Sequence, residues 1–157
     1  MAGTAFGGWQ ATRLGERGLQ RMVWVPTLGL ALSIPLYIAA LLAFSAQAAF
    51  LFMIPAMFFA ALWTAPSIAL TQSLVPAEMR ARASAIYIVI ANLLGVSLGP
   101  VAVGLLSDWF GALRGDASLG LRDALIVITL MLLWAITHWI FAARALSRIA
   151  PRDGADG

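Results

Sequence analysis

Trp63, Thr64 and Ser67 place an indole and two hydroxyls within little more than one helical turn, around Pro66. A hydroxyl both donates and accepts hydrogen bonds, and an indole donates only. Proline lacks an N–H, so within a helix it frees the carbonyl four residues before it. Such a grouping can hold a polar or amphipathic molecule through hydrogen bonds. It is not equipped to break covalent bonds, because no base accompanies either hydroxyl. Pro55 and Gln72 extend the same stretch, and two prolines with nearby hydroxyls suit a helix that lines a cavity. Simple kinking is the plainer alternative. Tyr87 and Asn92 add a phenol and a carboxamide further along. Trp63, Thr64, Ser67, Tyr87 and Asn92 are therefore the candidates for lining a cavity.

A second grouping is built on small residues. Asn92, Gly95 and Gly99 fall on one helical face, with Ser84, Ala91 and Ala102 extending it and Gly104 following. Gly95 to Gly99 is a GxxxG, the spacing that lets another helix approach closely in lipid. Pro100 then interrupts the backbone ladder. Gly95, Gly99, Pro100 and Gly104 fit either plain helix packing or a helix that bends during gating, and the sequence leaves both open.

Other chemistries lack material. The chain has no Cys, which excludes disulfides and thiolate sites. His138 is the single His, flanked by Trp134 and Trp139 near the end of an apolar run, where an interfacial role outweighs proton handling. No paired carboxylates or ligand clusters occur, so no catalytic residue, metal or cofactor is expected. The net charge of +3 comes from ten arginines and no Lys. These sit in short segments between apolar runs and form no groove-facing stripe, so no nucleic-acid partner is expected.

The elements that must position these residues follow from the charges. Of 157 residues, 62% are hydrophobic and 11% charged, against about 25% charged in soluble domains. Lipid must therefore be the main solvent. No charge lies between Arg21 and Glu78, between Arg82 and Asp108, or between Asp123 and Arg144. A helix crosses the hydrocarbon with about 20 residues. The first gap holds two crossings, with a turn at Ser45–Gln47, and the others hold one each. The chain is thus expected to be an all-α integral membrane protein, with four transmembrane helices at about 22–44, 48–72, 83–107 and 122–144. Residues 1–12 read as the end of a truncated transmembrane helix, 13–21 as a cytoplasmic loop, 22–144 as the transmembrane domain and 145–157 as a cytoplasmic tail. The first helix, low in polar content, is expected to face lipid. Eight arginines fall on one side and two on the other, which puts both chain ends on the cytoplasmic side of the cell (inner) membrane.

Several segments resemble the major facilitator superfamily. Residues 7–17, with Gly8, Arg13, Gly15 and Arg17, resemble its short cytoplasmic loop signature, although Thr12 and Glu16 replace an acidic and a basic position. Residues 75–85 are similar to the cytoplasmic link after the fourth helix of a six-helix half, and 98–108 to the Gly-Pro-rich fifth helix. Trp24–Pro26, Ala65–Ser67 and Leu106–Asp108 are similar to its Spinster-like branch. The resemblance implies that the chain corresponds to the end of the eighth helix and to the ninth through twelfth. It further implies a C-terminal portion of a secondary transporter that moves a small-molecule solute by alternating access, with missing N-terminal helices as its partner. The tenth helix would line the cavity, the eleventh would flank it, and the ninth and twelfth would stand outside. A stand-alone four-helix membrane protein, working as a homo-oligomeric subunit or small exporter, is the competing expectation. It is weakened because no span carries an ionisable coupling residue.

Overall fold

The computed structural model describes residues 2–16 and 18–149. Those residues form helices and no strand. Helix α1 runs Ala2–Gly15, and α2 is the single turn Leu19–Met22. The long helices are α3, Trp24–Leu41; α4, Ala46–Ser73; α5, Ala77–Arg114; and α6, Ala117–Ile149. These four are long and apolar enough to cross a membrane. The chain is an all-α membrane protein.

The helix ends have local causes. Ser45 is extended and its Oγ accepts from the Ala48 N–H at 3.2 Å, which starts α4. Gly115 takes φ 67°, the left-handed conformation that ends α5 without a Cβ clash. Asp116 then caps α6, its Oδ1 accepting from the amides of Ser118 at 2.8 Å and Leu119 at 3.2 Å. These hydrogen bonds, the Ser118 hydroxyl first, hold the Asp116 carboxyl below its ordinary value. Helices α5 and α6 begin at Ala77 and Ala117, ahead of the apolar stretches at 83 and 122. Hydropathy marks the part of a helix in lipid, whereas backbone bonding continues into the headgroup region until a cap stops it.

The core lies on α3. It packs against α4 and α6, while α1 lies along α4. Val23, Pro26 and Ser33 are fully buried. The expectation of a lipid-facing first helix is corrected here: Thr27, Gly29 and Ser33 turn inward. Thr27 Oγ1 donates to the Val23 carbonyl at 2.8 Å and Ser33 Oγ to the Leu30 carbonyl at 2.9 Å. Each hydroxyl is satisfied within its own helix, so burying it leaves no orphaned donor.

Three glycines make the close approaches. A Cβ on Gly7 would stand 2.7 Å from the Leu62 carbonyl oxygen, and one on Gly29 2.7 Å from that of Phe59. Gly3 meets the Phe58 carbonyl in the same way. All three carbonyls precede or enter the tight turn Ala61–Trp63, which divides α4. Pro66 denies the Leu62 carbonyl its usual amide partner, and the Gly7 backbone lies against that oxygen.

Among the described residues, the first part of helix α5 meets α4 and its last part packs on α6. Gln72 Nε2 donates to Ser84 Oγ at 2.9 Å, joining α4 to the first part of α5. At the other end a Cβ on Gly120 would stand 2.5 Å from the Gly111 amide nitrogen, so α6 and α5 meet backbone to backbone. Arg114 and Asp123 add an ion pair at 2.5 Å. Between these contacts, Asn92–Leu98 forms a π-helical stretch. A π turn pairs each carbonyl with the amide five residues on. Pro100, in the first turn after the stretch, has no N–H to offer the Val96 carbonyl.

Candidate functional site

An elongated groove runs along the face shared by α3, α4 and α6, with α5 closing one flank. Its first part encloses about 430 Å³ and is lined by Trp63, Ser67, Leu70 and Thr71 of α4, Tyr87 of α5, Leu30 of α3, and Leu132, Ala135 and Trp139 of α6. Its second part, about 350 Å³, shares Leu30, Trp63 and Leu132 and continues past Tyr37, Met53 and Thr129. Trp63 stands at the junction.

Helical geometry explains which side chains reach the groove. Trp63, Ser67 and Thr71 are spaced i, i+4 and i+8, so they stack on one face. Ser67 Oγ donates to the Trp63 carbonyl at 2.6 Å and Thr71 Oγ1 to the Ser67 carbonyl at 2.8 Å. Their protons are thus committed to the backbone, and their oxygens remain as acceptors. Trp63, Trp139 and Tyr87 supply the N–H and O–H donors. No ionisable group except the phenols lines the groove. Such a surface suits an amphipathic molecule with a few hydrogen-bonding atoms, and offers no counter-ion for a charged one.

The expected residues therefore separate. Trp63, Ser67 and Tyr87 come together, while Thr64 and Asn92 do not join them. Thr64 follows Trp63 by one residue, about 100° round the helix, and Asn92 lies about 140° from Tyr87. Leu30, Thr71, Leu132 and Trp139 complete the groove. Thr71 was detectable as the hydroxyl one turn beyond Ser67; the apolar liners carry no signal in the sequence.

Gly95, Gly99 and Gly104 have no atom within 4 Å of a built Cβ, so this face of α5 is open. Asn92 and Pro100 are exposed on the same helix. The loop-signature residues sit mostly inside α1. Gly8 packs on Ala65, with a built Cβ 3.3 Å from the alanine Cβ. The Arg13 guanidinium lies 4.3 Å over the Trp9 ring. Gly15 closes the helix near Met22. Arg17, and the tail beyond Ile149, lie outside the described residues.

Over 135 residues, 85% of the chain, the sequence is 36% identical to a protein of Mycolicibacterium smegmatis named "MFS-type efflux pump". That likeness supports membership of the major facilitator superfamily. It also supports a transporter-type function in a multi-pass membrane protein. The matched region spans 31% of the relative's length. No protein-family model and no solved structure matches the chain.

Proposed function

We propose that the chain is the C-terminal portion of a major facilitator transporter, of the Spinster-like branch, that exports a small organic or amphipathic solute by alternating access. The observation that carries this is the coincidence of two features. The sequence is 36% identical over 85% of its length to a protein named as an efflux pump, and Trp63, Ser67, Thr71 and Tyr87 meet in a mostly apolar groove. Alternating access rocks two repeats around a site shared between them. The open face of α5, with Asn92, Gly95, Gly99, Pro100 and Gly104, is where the preceding helices of the same transporter would sit. Residues 1–12, in this scheme, are the end of the eighth helix and belong to the same six-helix half as the four spans. Both chain ends and the 73–82 link face the cytoplasm, with the protein in the cell (inner) membrane.

Efflux of a fluorescent amphipathic dye from cells expressing the chain together with its N-terminal helices tests the reading. Trp63→Ala should cut efflux at least about tenfold with surface expression unchanged. The 157-residue chain alone in liposomes should move nothing. Saturable transport by the isolated chain would replace this reading with a small homo-oligomeric exporter.

A further inference from the structure

The end of the bundle where α2 leads into α3 carries a second cavity of about 470 Å³, bounded by Arg21, Trp24, Ile140, Ala143, Arg144 and Ser147. Its volume falls within the roughly 300–1,000 Å³ usual for small-molecule sites. It is separate from the groove and shares no residue with it. Arginines from two different helices line one space, and among the described residues neither has a carboxylate within ion-pair distance. Each presents five donors in a planar fork that matches phosphate oxygens. Arg148 stands one turn beyond Arg144 on α6, and two like charges at that spacing repel unless an anion lies near them.

We infer that Arg21, Arg144 and Trp24 form a site for the headgroup of an anionic phospholipid, with phosphatidylglycerol the best match. The position is that of a headgroup: these residues lie where the apolar spans end, and Trp24, 49% exposed, is of the type that settles at that level. Basic pockets between transmembrane helices bind anionic headgroups in this way. Ile140 and Ala143 give the cavity an apolar wall along α6, against which acyl chains can run into the bilayer. Ser147 narrows the chemistry. Its hydroxyl donates to the Arg144 carbonyl at 2.8 Å. Only its lone pairs remain, so it accepts from a headgroup that carries hydroxyls, as glycerol does. The lipid would tie α2 and α3 to α6 at the end where Met22, Val23 and Leu146 form their small core.

Native mass spectrometry of the protein purified from its membrane, intact with any further helices it carries, tests this. The expected result is one retained phosphatidylglycerol that survives dilution into phosphatidylcholine micelles. Each arginine near an anionic surface contributes roughly fivefold in affinity, so Arg21→Gln with Arg144→Gln should weaken retention by about twenty-five-fold. Arg80→Gln with Arg82→Gln removes the same charge from the same end and should leave retention unchanged. Equal loss in both double variants would reduce the effect to general surface charge and overturn the site. Displacement of the lipid by millimolar inorganic phosphate would mark a free-anion site and overturn the lipid assignment. Should the Arg21 and Arg144 variant not survive purification, melting of the single Arg144→Gln variant serves instead. Phosphatidylglycerol, against phosphatidylcholine, should raise the wild-type midpoint but not the variant's; an equal rise in both would refute the proposal.

Discussion

Helices α1 and α5 use the same device in opposite surroundings. On α1, Gly3, Gly7 and Ala11 repeat every four residues, and all three are buried against α4 and its neighbours. On α5, Gly95 and Gly99 repeat at the same interval and meet nothing. Small residues four apart remove the obstacle to close approach. They do not supply the approaching helix. The α1 stripe is filled because the carbonyls around the α4 turn lie opposite it; the α5 stripe lies on the one long helix with no buried residue in its apolar stretch. A GxxxG is thus a statement about what a surface permits, and only the fold tells whether the permission is used within the chain.

The sharpest way to break the contrast is Gly7→Leu. A built Cβ already stands 2.7 Å from the Leu62 oxygen and 3.0 Å from its Cα, so backbone must move. Overpacking of this kind costs about 1–3 kcal/mol or more. A strongly lowered melting temperature in detergent is expected, and a melt equal to wild type would show that α1 does not seat on α4. Gly99→Leu should differ in kind. It should change the stability of this chain by less than about 0.5 kcal/mol. In the transporter carrying its N-terminal helices it should impair assembly more than Leu105→Ala does. Equal effects of the two changes on assembly would remove the partner from that face. The smallest effect concerns the junction that holds α5 to α6. The Asp116 carboxyl is held below its ordinary value of 3.8, so its contribution is present above that value and lost as pH falls through the lowered one. Exchange at the Ser118 and Leu119 amides should be protected above pH 4 and quicken, relative to the intrinsic rate, at lower pH. Asp116→Ala should abolish that pH dependence; a retained dependence would assign it to another group.

The four spans were legible because charge is excluded from hydrocarbon and its absence is visible in one dimension. The burial of α3 was less so. Thr27, Gly29 and Ser33 were present as its signal, small or self-bonded residues placed round the helix, but a low polar count hid them. In the groove, Trp63, Ser67 and Tyr87 could be picked out by type. Thr64 and Asn92 share that chemistry yet face elsewhere, because side-chain direction depends on angular position and not on nearness in sequence. Leu132 and Trp139 come from a helix that starts more than forty residues after Ser73, and nothing local records that they end up opposite Ser67.

The π-helical stretch of α5 has a consequence for angular phase. One helix must satisfy two docking points: Ser84 has to meet Gln72, and Gly111 has to meet Gly120. Each residue of an α-helix advances the clock by about 100°, so the number of residues between the two points and the width of the turns fix both orientations at once. Asn92–Leu98 acts as the slack in that gearing. Its wider turns advance each residue by less than the α-helical angle, so deleting one residue there would let the ladder close as plain α-helix with Gly111 near its present phase, whereas deleting one from the α-helical turns on either side would swing Gly111 away from α6. The stretch can absorb the loss of one residue, and the α-helical turns beside it cannot.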